Sequence, residues 1–131
     1  MKIKGFTLLE LMIVIIIIGV MSTISVISYF SSKERVANKE AITSLKMLNA
    51  AEKGYKVETY SYYPSTGSVD NIISINNYLS VGLSNNANRN WNYKVFSNGC
   101  VQARRNGGDQ RYFNLTINYG GEPDSINNLC P

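Results

Sequence analysis

The chain has 131 residues, 13 basic and nine acidic, a formal net charge of +4, no histidine and two cysteines. That length allows one compact domain beyond any membrane segment. The missing histidine excludes Ser–His and Cys–His catalytic pairs and leaves a metal site short of ligands, and the net charge is too small to argue for nucleic-acid or anionic-surface binding.

Lys2-Ile3-Lys4-Gly5 precedes an apolar run in which Glu10 is the single charged side chain among the 25 residues from Phe6 to Phe30. As a helix this run is about 37 Å long, enough to cross a hydrocarbon core of about 30 Å with some tilt. It exceeds the roughly 7–15-residue apolar region of a secretory signal. Signal cleavage near Val20-Met21-Ser22 is the competing reading, but Glu10 would interrupt the very stretch that must be apolar. Lys2 and Lys4 lie before the run and Lys33, Arg35 and Lys39 after it, so charge does not fix its orientation. A lone carboxylate in a bilayer costs on the order of a few kcal/mol, which makes Glu10 a functional candidate.

Lys4-Gly5-Phe6-Thr7-Leu8-Leu9-Glu10-Leu11, followed by an isoleucine-rich run, resembles the processing and assembly segment of type IV prepilins. The pseudopilins of type II secretion share this segment. The resemblance implies cleavage between Gly5 and Phe6 by a membrane peptidase on the cytoplasmic side, and methylation of the new Phe6 amine. It gives Glu10 the place of the family's acidic assembly residue, and Gly19 that of a glycine common in the family's helix. A proline often found further along has no counterpart near Ile27, so local melting of the helix there is not implied. The implied partners are a prepilin peptidase/methyltransferase, the pilus or secretion assembly machinery, the inner membrane before assembly, and further copies of the chain in a helical homopolymer. Loss of residues 1–5 removes two basic residues and leaves 11 against nine acidic, about +2 on 126 residues. An ammonium at Phe6 and a carboxylate at Glu10 are each costly in an apolar setting. Paired, within one helix or between neighbouring subunits, each offsets the other's desolvation.

The helix is expected to continue past the apolar run. Ala41, Leu45, Leu48, Ala51 and Tyr55 recur at spacings of four, three, three and four, an amphipathic stripe that should pack on a sheet. One helix from Phe6 to near Tyr55 follows. Tyr60 to Ser68 is rich in turn formers, Ile72-Ile73-Ser74-Ile75 starts a short helix or strand, and Asn85 to Asn90 is a polar connection. Trp91, Tyr93 and Val95 alternate with polar neighbours, and Asn98-Gly99 signals a tight hairpin. Val101 and Ala103 continue the alternation. Asn106-Gly107-Gly108-Asp109 is a second turn, and Phe113, Leu115, Ile117 and Tyr119 form the last alternating stretch, before a loop from Gly120-Gly121 to Cys130. The fold class is α+β: a long N-terminal helix, membrane-spanning in its first half, packed on a three- or four-stranded antiparallel sheet, as in pilins. The expected divisions are a leader 1–5, a membrane and polymerisation helix 6–30, its amphipathic continuation 31–56, a connecting region 57–90, and the sheet with its C-terminal loop 91–131. Residues 31–131 then form one exported domain.

Cys100 and Cys130, an even pair in an exported domain, read as a disulfide. Closing a loop of about 31 residues contributes roughly 3–4 kcal/mol on the chain-entropy model. The resemblance supports the pairing, because many type IV pilins bracket a C-terminal loop in this way. Glu122 and Asp124 are few for a calcium site and read as solvated loop charges. Arg104, Arg105 and Arg111 with Tyr112 form a small basic cluster; a solvated turn is preferred to DNA contact. Asn114-Leu115-Thr116 matches a glycosylation sequon but falls in a predicted strand and is discounted. No catalytic residues, metal ligands or cofactor are assigned. The reading is a non-enzymatic structural subunit of a type IV pilus-like extracellular filament, made first as a single-pass inner-membrane precursor. A pseudopilin, a minor tip subunit binding DNA or a surface, and an unpolymerised membrane-anchored domain are the alternatives.

Overall fold

The computed structural model describes residues 5–107, 111–116 and Cys130. Its elements are α1 (Leu8–Thr59), β1 (Ser68–Val69), α2 (Ile72–Leu79), β2 (Trp91–Phe96), β3 (Val101–Arg105) and β4 (Tyr112–Leu115). The chain divides into two compact units, Met1–Val36 and Ala37–Pro131.

Helix α1 has 52 residues. It begins at Leu8 rather than Phe6 because Thr7 caps it: the Thr7 hydroxyl accepts from the Glu10 backbone N–H at 3.3 Å. Thr7 at the cap with Glu10 three residues on is the sequence pattern of a capping box. The helix continues through Gly54 and ends at Thr59, four residues beyond the expected end near Tyr55. It stops where Tyr60 turns left-handed, at φ 62°. Lys56 sits in the last turn, where a cation complements the carbonyl ends.

In the unit Ala37–Pro131, the inward face of α1 carries Ala37, Ala41, Leu45 and Leu48, all buried, with Ala51 and Tyr55 packed against them. The sheet closes this face. Its order is β1-β2-β3-β4, antiparallel throughout. Tyr93 pairs with Ala103, and Ala103 with Phe113; Val95 pairs with Val101, and Val101 with Leu115. Since side chains alternate across a strand, these residues and Trp91 share the face that joins the α1 stripe in one core. Trp91 is fully buried, and its indole N–H donates to the Ala37 carbonyl at 2.7 Å. Asn90 Nδ2 donates to Glu40 Oε2 beside it, and Asn49 Nδ2 reaches the Thr116 carbonyl from further along the helix. Truncating a buried Leu45 or Leu48 to Ala is expected to cost about 2–5 kcal/mol.

The segment 57–90, expected as a connection, holds β1 and α2. Strand β1 is two residues paired with Val95 and Phe96. Asn71 caps α2 by accepting from the Ser74 N–H, and Ile72, Ile75 and Leu79 enter the core. The side chain of Asn76 both donates to and accepts from the Leu83 backbone, which fixes the exit from α2. The Asn98-Gly99 hairpin forms with a three-residue loop: Gly99 N–H donates to the Phe96 carbonyl and Gly99 takes φ 79°, the bulged form of the turn. The expected positions Gly108, Asp109, Ile117, Tyr119, Gly120, Gly121, Glu122 and Asp124 lie outside the described residues.

Candidate functional site

Helix α1 is, among the described residues, the one helix long and apolar enough to cross a membrane. Its N-terminal apolar side chains have no cover: Phe6, Leu8, Leu9, Ile15 and Ile16 are each at least 60% exposed. Each such side chain gains roughly 1.5–3 kcal/mol on full burial, so the segment strongly favours lipid or another apolar surface over water. Two of its hydroxyls are already provided for. Ser22 Oγ donates to the Ile18 carbonyl and Thr23 Oγ1 to the Val20 carbonyl, both at 2.8 Å, which lets them sit in an apolar medium. Glu10 differs. It is exposed, and among the described residues its carboxylate has no hydrogen-bond or ion-pair partner. It stands in the first turn, beside the positive end of the helix. Thr7, its capping partner, was missed in the sequence reading, although the Thr7-Leu8-Leu9-Glu10 spacing carries the signal. Gly5 precedes the helix, and a Cβ placed on it meets nothing within 4 Å. The packing of this chain therefore does not itself demand glycine there.

At the other end of the sequence, Cys100 and Cys130 form a disulfide with Cα atoms 5.6 Å apart. Both are buried and cluster with Phe96, so the bridge fastens the C-terminal region to the β2–β3 turn.

Arg104 and Arg105 are neighbours in β3; their side chains leave the strand on opposite sides but both line one recess. The Arg105 guanidinium lies 5.3 Å from the Trp91 ring, while Arg104 is exposed, 5.7 Å from the Tyr112 ring. Asn114 of the sequon is 1% exposed and accepts from Gln102 Nε2 at 3.0 Å, so it presents no accessible amide for a glycan.

Glu52, which no sequence motif marks, is fully buried on the α1 stripe. Its Oε2 accepts from the Tyr63 backbone N–H at 3.0 Å, and Oε1 has no partner. Burial pushes this carboxyl up to about 7, against the opposing effect of the Tyr63 N–H. Position 52 is four residues after Leu48 and three before Tyr55, and that spacing is the signal that it faces inward.

A family model described as the prokaryotic N-terminal methylation motif matches residues 1–26. The chain is 38% identical over 65 residues to type II secretion system core protein G of Escherichia coli strain K12, across 50% of this chain and 44% of that protein. It is 41% identical over 59 residues to the type IV major pilin protein PilA of Myxococcus xanthus, across 45% of this chain and 27% of that one.

The N-terminal half of the chain is thus similar to type IV pilins and to the pseudopilins of type II secretion.

The chain also matches core protein G of Klebsiella pneumoniae, at 38% identity over 63 residues, 48% of this chain and 44% of that protein. It spans less than half the length of these relatives. No solved structure matches it significantly. Its long N-terminal helix and four-stranded antiparallel sheet are a pilin-like arrangement.

Proposed function

We propose that the chain is a structural, non-enzymatic subunit of a type IV pilus-like extracellular filament. It enters the inner membrane through residues 6–30, is cut between Gly5 and Phe6, is methylated on Phe6, and polymerises through α1. The observation that carries this reading is the uncovered apolar segment with a single unpartnered carboxylate. The amine created by cleavage would lie one helical turn from Glu10, and lipid or neighbouring helices would cover the rest. The open space around Gly5 supports a need for glycine set by the peptidase rather than by the fold. The buried disulfide suits a domain that leaves the reducing cytoplasm.

A second reading, a pseudopilin of a type II secretion system, is favoured by the relatives named as core protein G. Shearing cells and probing the released filaments for this chain tests both. Abundant subunit in long surface filaments is the expected result. Subunit confined to the envelope, with a secretion defect on deletion of the gene, would establish the pseudopilin instead.

A further inference from the structure

The sheet has a second face, turned away from the α1 stripe. The register places Asn92 opposite Arg104, Lys94 opposite Gln102, and Arg104 opposite Tyr112. Lys94 and Arg104 are therefore diagonal neighbours, about 7–8 Å apart at the Cα level, close enough to close on one small anion. Together with Arg89 they line an open recess of about 600 Å³, in which Asp70 is, among the described residues, the one carboxylate. Among the described residues neither Lys94 nor Arg104 has an ion-pair partner; each lies over an aromatic ring instead. Two cations this close repel each other, and an anion between them would reverse the sign of that interaction.

The remaining lining is amide-rich and held in place. Arg89 Nε donates to Asn92 Oδ1 at 2.9 Å, and Gln102 Nε2 donates to Asn114 Oδ1. Asn92 thus keeps its N–H donors, and Gln102 its carbonyl oxygen, for a ligand. Donors and acceptors beside a cation pair match a ring that bears hydroxyls and one carboxylate. Nucleic acid fits less well: it asks for a track of cations along many phosphates and open aromatic faces for bases. Here the cations form a compact group, and the Tyr112 ring is covered by Arg104.

We propose that this outer sheet face binds an acidic sugar residue of a polyuronate, its carboxylate held by Arg104, Lys94 and Arg89 and its hydroxyls by Asn92 and Gln102. The site lies on the sheet and the Arg89 loop beside it, outside residues 6–30, and is read on dispersed subunits, so its failure would leave the filament reading untouched.

The test titrates the full chain in detergent micelles with oligogalacturonate, with a neutral maltooligosaccharide and a single-stranded oligonucleotide as comparisons. Polyuronate should bind at least ~10-fold more tightly than either, and more weakly as salt rises. Arg104→Ala and Lys94→Ala should each weaken it by about fivefold or more with an unchanged melting temperature, whereas Arg104→Lys should keep most of the affinity. Lys46→Ala and Lys53→Ala on α1 should have no effect. Equal binding of the neutral sugar, tighter binding of the oligonucleotide, or the same loss in the α1 variants as in Arg104→Ala would overturn the proposal.

Discussion

The backbone N–H of Tyr63 donates to Glu52 Oε2 at 3.0 Å, joining the last turns of α1 to the loop that follows. The carboxyl that accepts it is fully buried, with Tyr55 and Tyr78 packed on the Tyr63 ring. Lys56, one turn on, does not neutralise it; its Nζ donates to the Tyr62 hydroxyl. The loop is thus anchored by a group that burial favours in its neutral form.

A pH dependence is predicted from this anchor. The carboxyl rises from 4.5 to about 7 on folding. Below pH 4.5 it is protonated in both states, and its contribution is fully present. Between 4.5 and 7 the unfolded chain ionises first, so stability falls as pH rises, by on the order of 3 kcal/mol in all, and then levels off. The chain has no histidine to titrate in the same window. Glu52→Gln keeps an acceptor for Tyr63 and should flatten this slope. Urea unfolding at pH 4.5, 6 and 8 checks it; equal slopes in both proteins would dismiss the effect.

For the disulfide, we predict that Cys100→Ser weakens the domain by roughly 3–4 kcal/mol, the chain-entropy value for a loop of this size. Thiol labelling of the denatured, unreduced wild type should find no reactive cysteine. Labelling of both cysteines in material taken from the cell envelope would contradict the bridge.

Processing is predicted to leave a methylated Phe6 at the N-terminus. Mass spectrometry of membrane or filament material measures it directly. Gly5→Val should accumulate uncut precursor, although nothing in the fold resists the larger side chain. A terminus near Thr23, or an intact Met1 in filaments, would end the prepilin assignment.

For Glu10, the prediction separates processing from assembly. Glu10→Gln retains shape and the Thr7 cap, and makes the span more apolar, so insertion and cleavage should proceed. Filament yield should fall sharply, because removing one member of a buried ion pair typically costs about 3–5 kcal/mol. Thr7→Ala should cost only about 1 kcal/mol at the start of the helix and leave most assembly intact. Wild-type yield of Glu10→Gln filaments would rule out the pairing role.

Most of the fold is legible in the chain because its periods are clean. Ala41, Leu45 and Leu48 recur with the helical repeat, and Trp91, Tyr93 and Val95 with the strand repeat, and each set is buried. Strand β1 escapes notice because Ser68-Val69 is defined by pairing with Val95 and Phe96, not by any pattern of its own. Helix α2 is ambiguous because Ile72-Ile73-Ser74-Ile75 suits either repeat; the Asn71 cap decides it. Glu52 is hidden by its charge, since a carboxylate on a helix reads as solvated unless its neighbours at four and three residues are weighed. The N-terminal motif is readable because it is short and contiguous. The outer-face recess is not, because residues from three strands meet there only through the register.

The bridge between Cys100 and Cys130 also has a mechanical consequence. A filament subunit under tension is pulled along its backbone, and in an unbridged chain every residue can be drawn out. Here the 30-residue separation between the two cysteines is short-circuited by a covalent link. At about 3.3–3.6 Å per residue, roughly 100 Å of contour length is withheld from any forced extension. Strand β4, which lies inside that closed loop, could lose its place in the sheet without letting the chain grow longer.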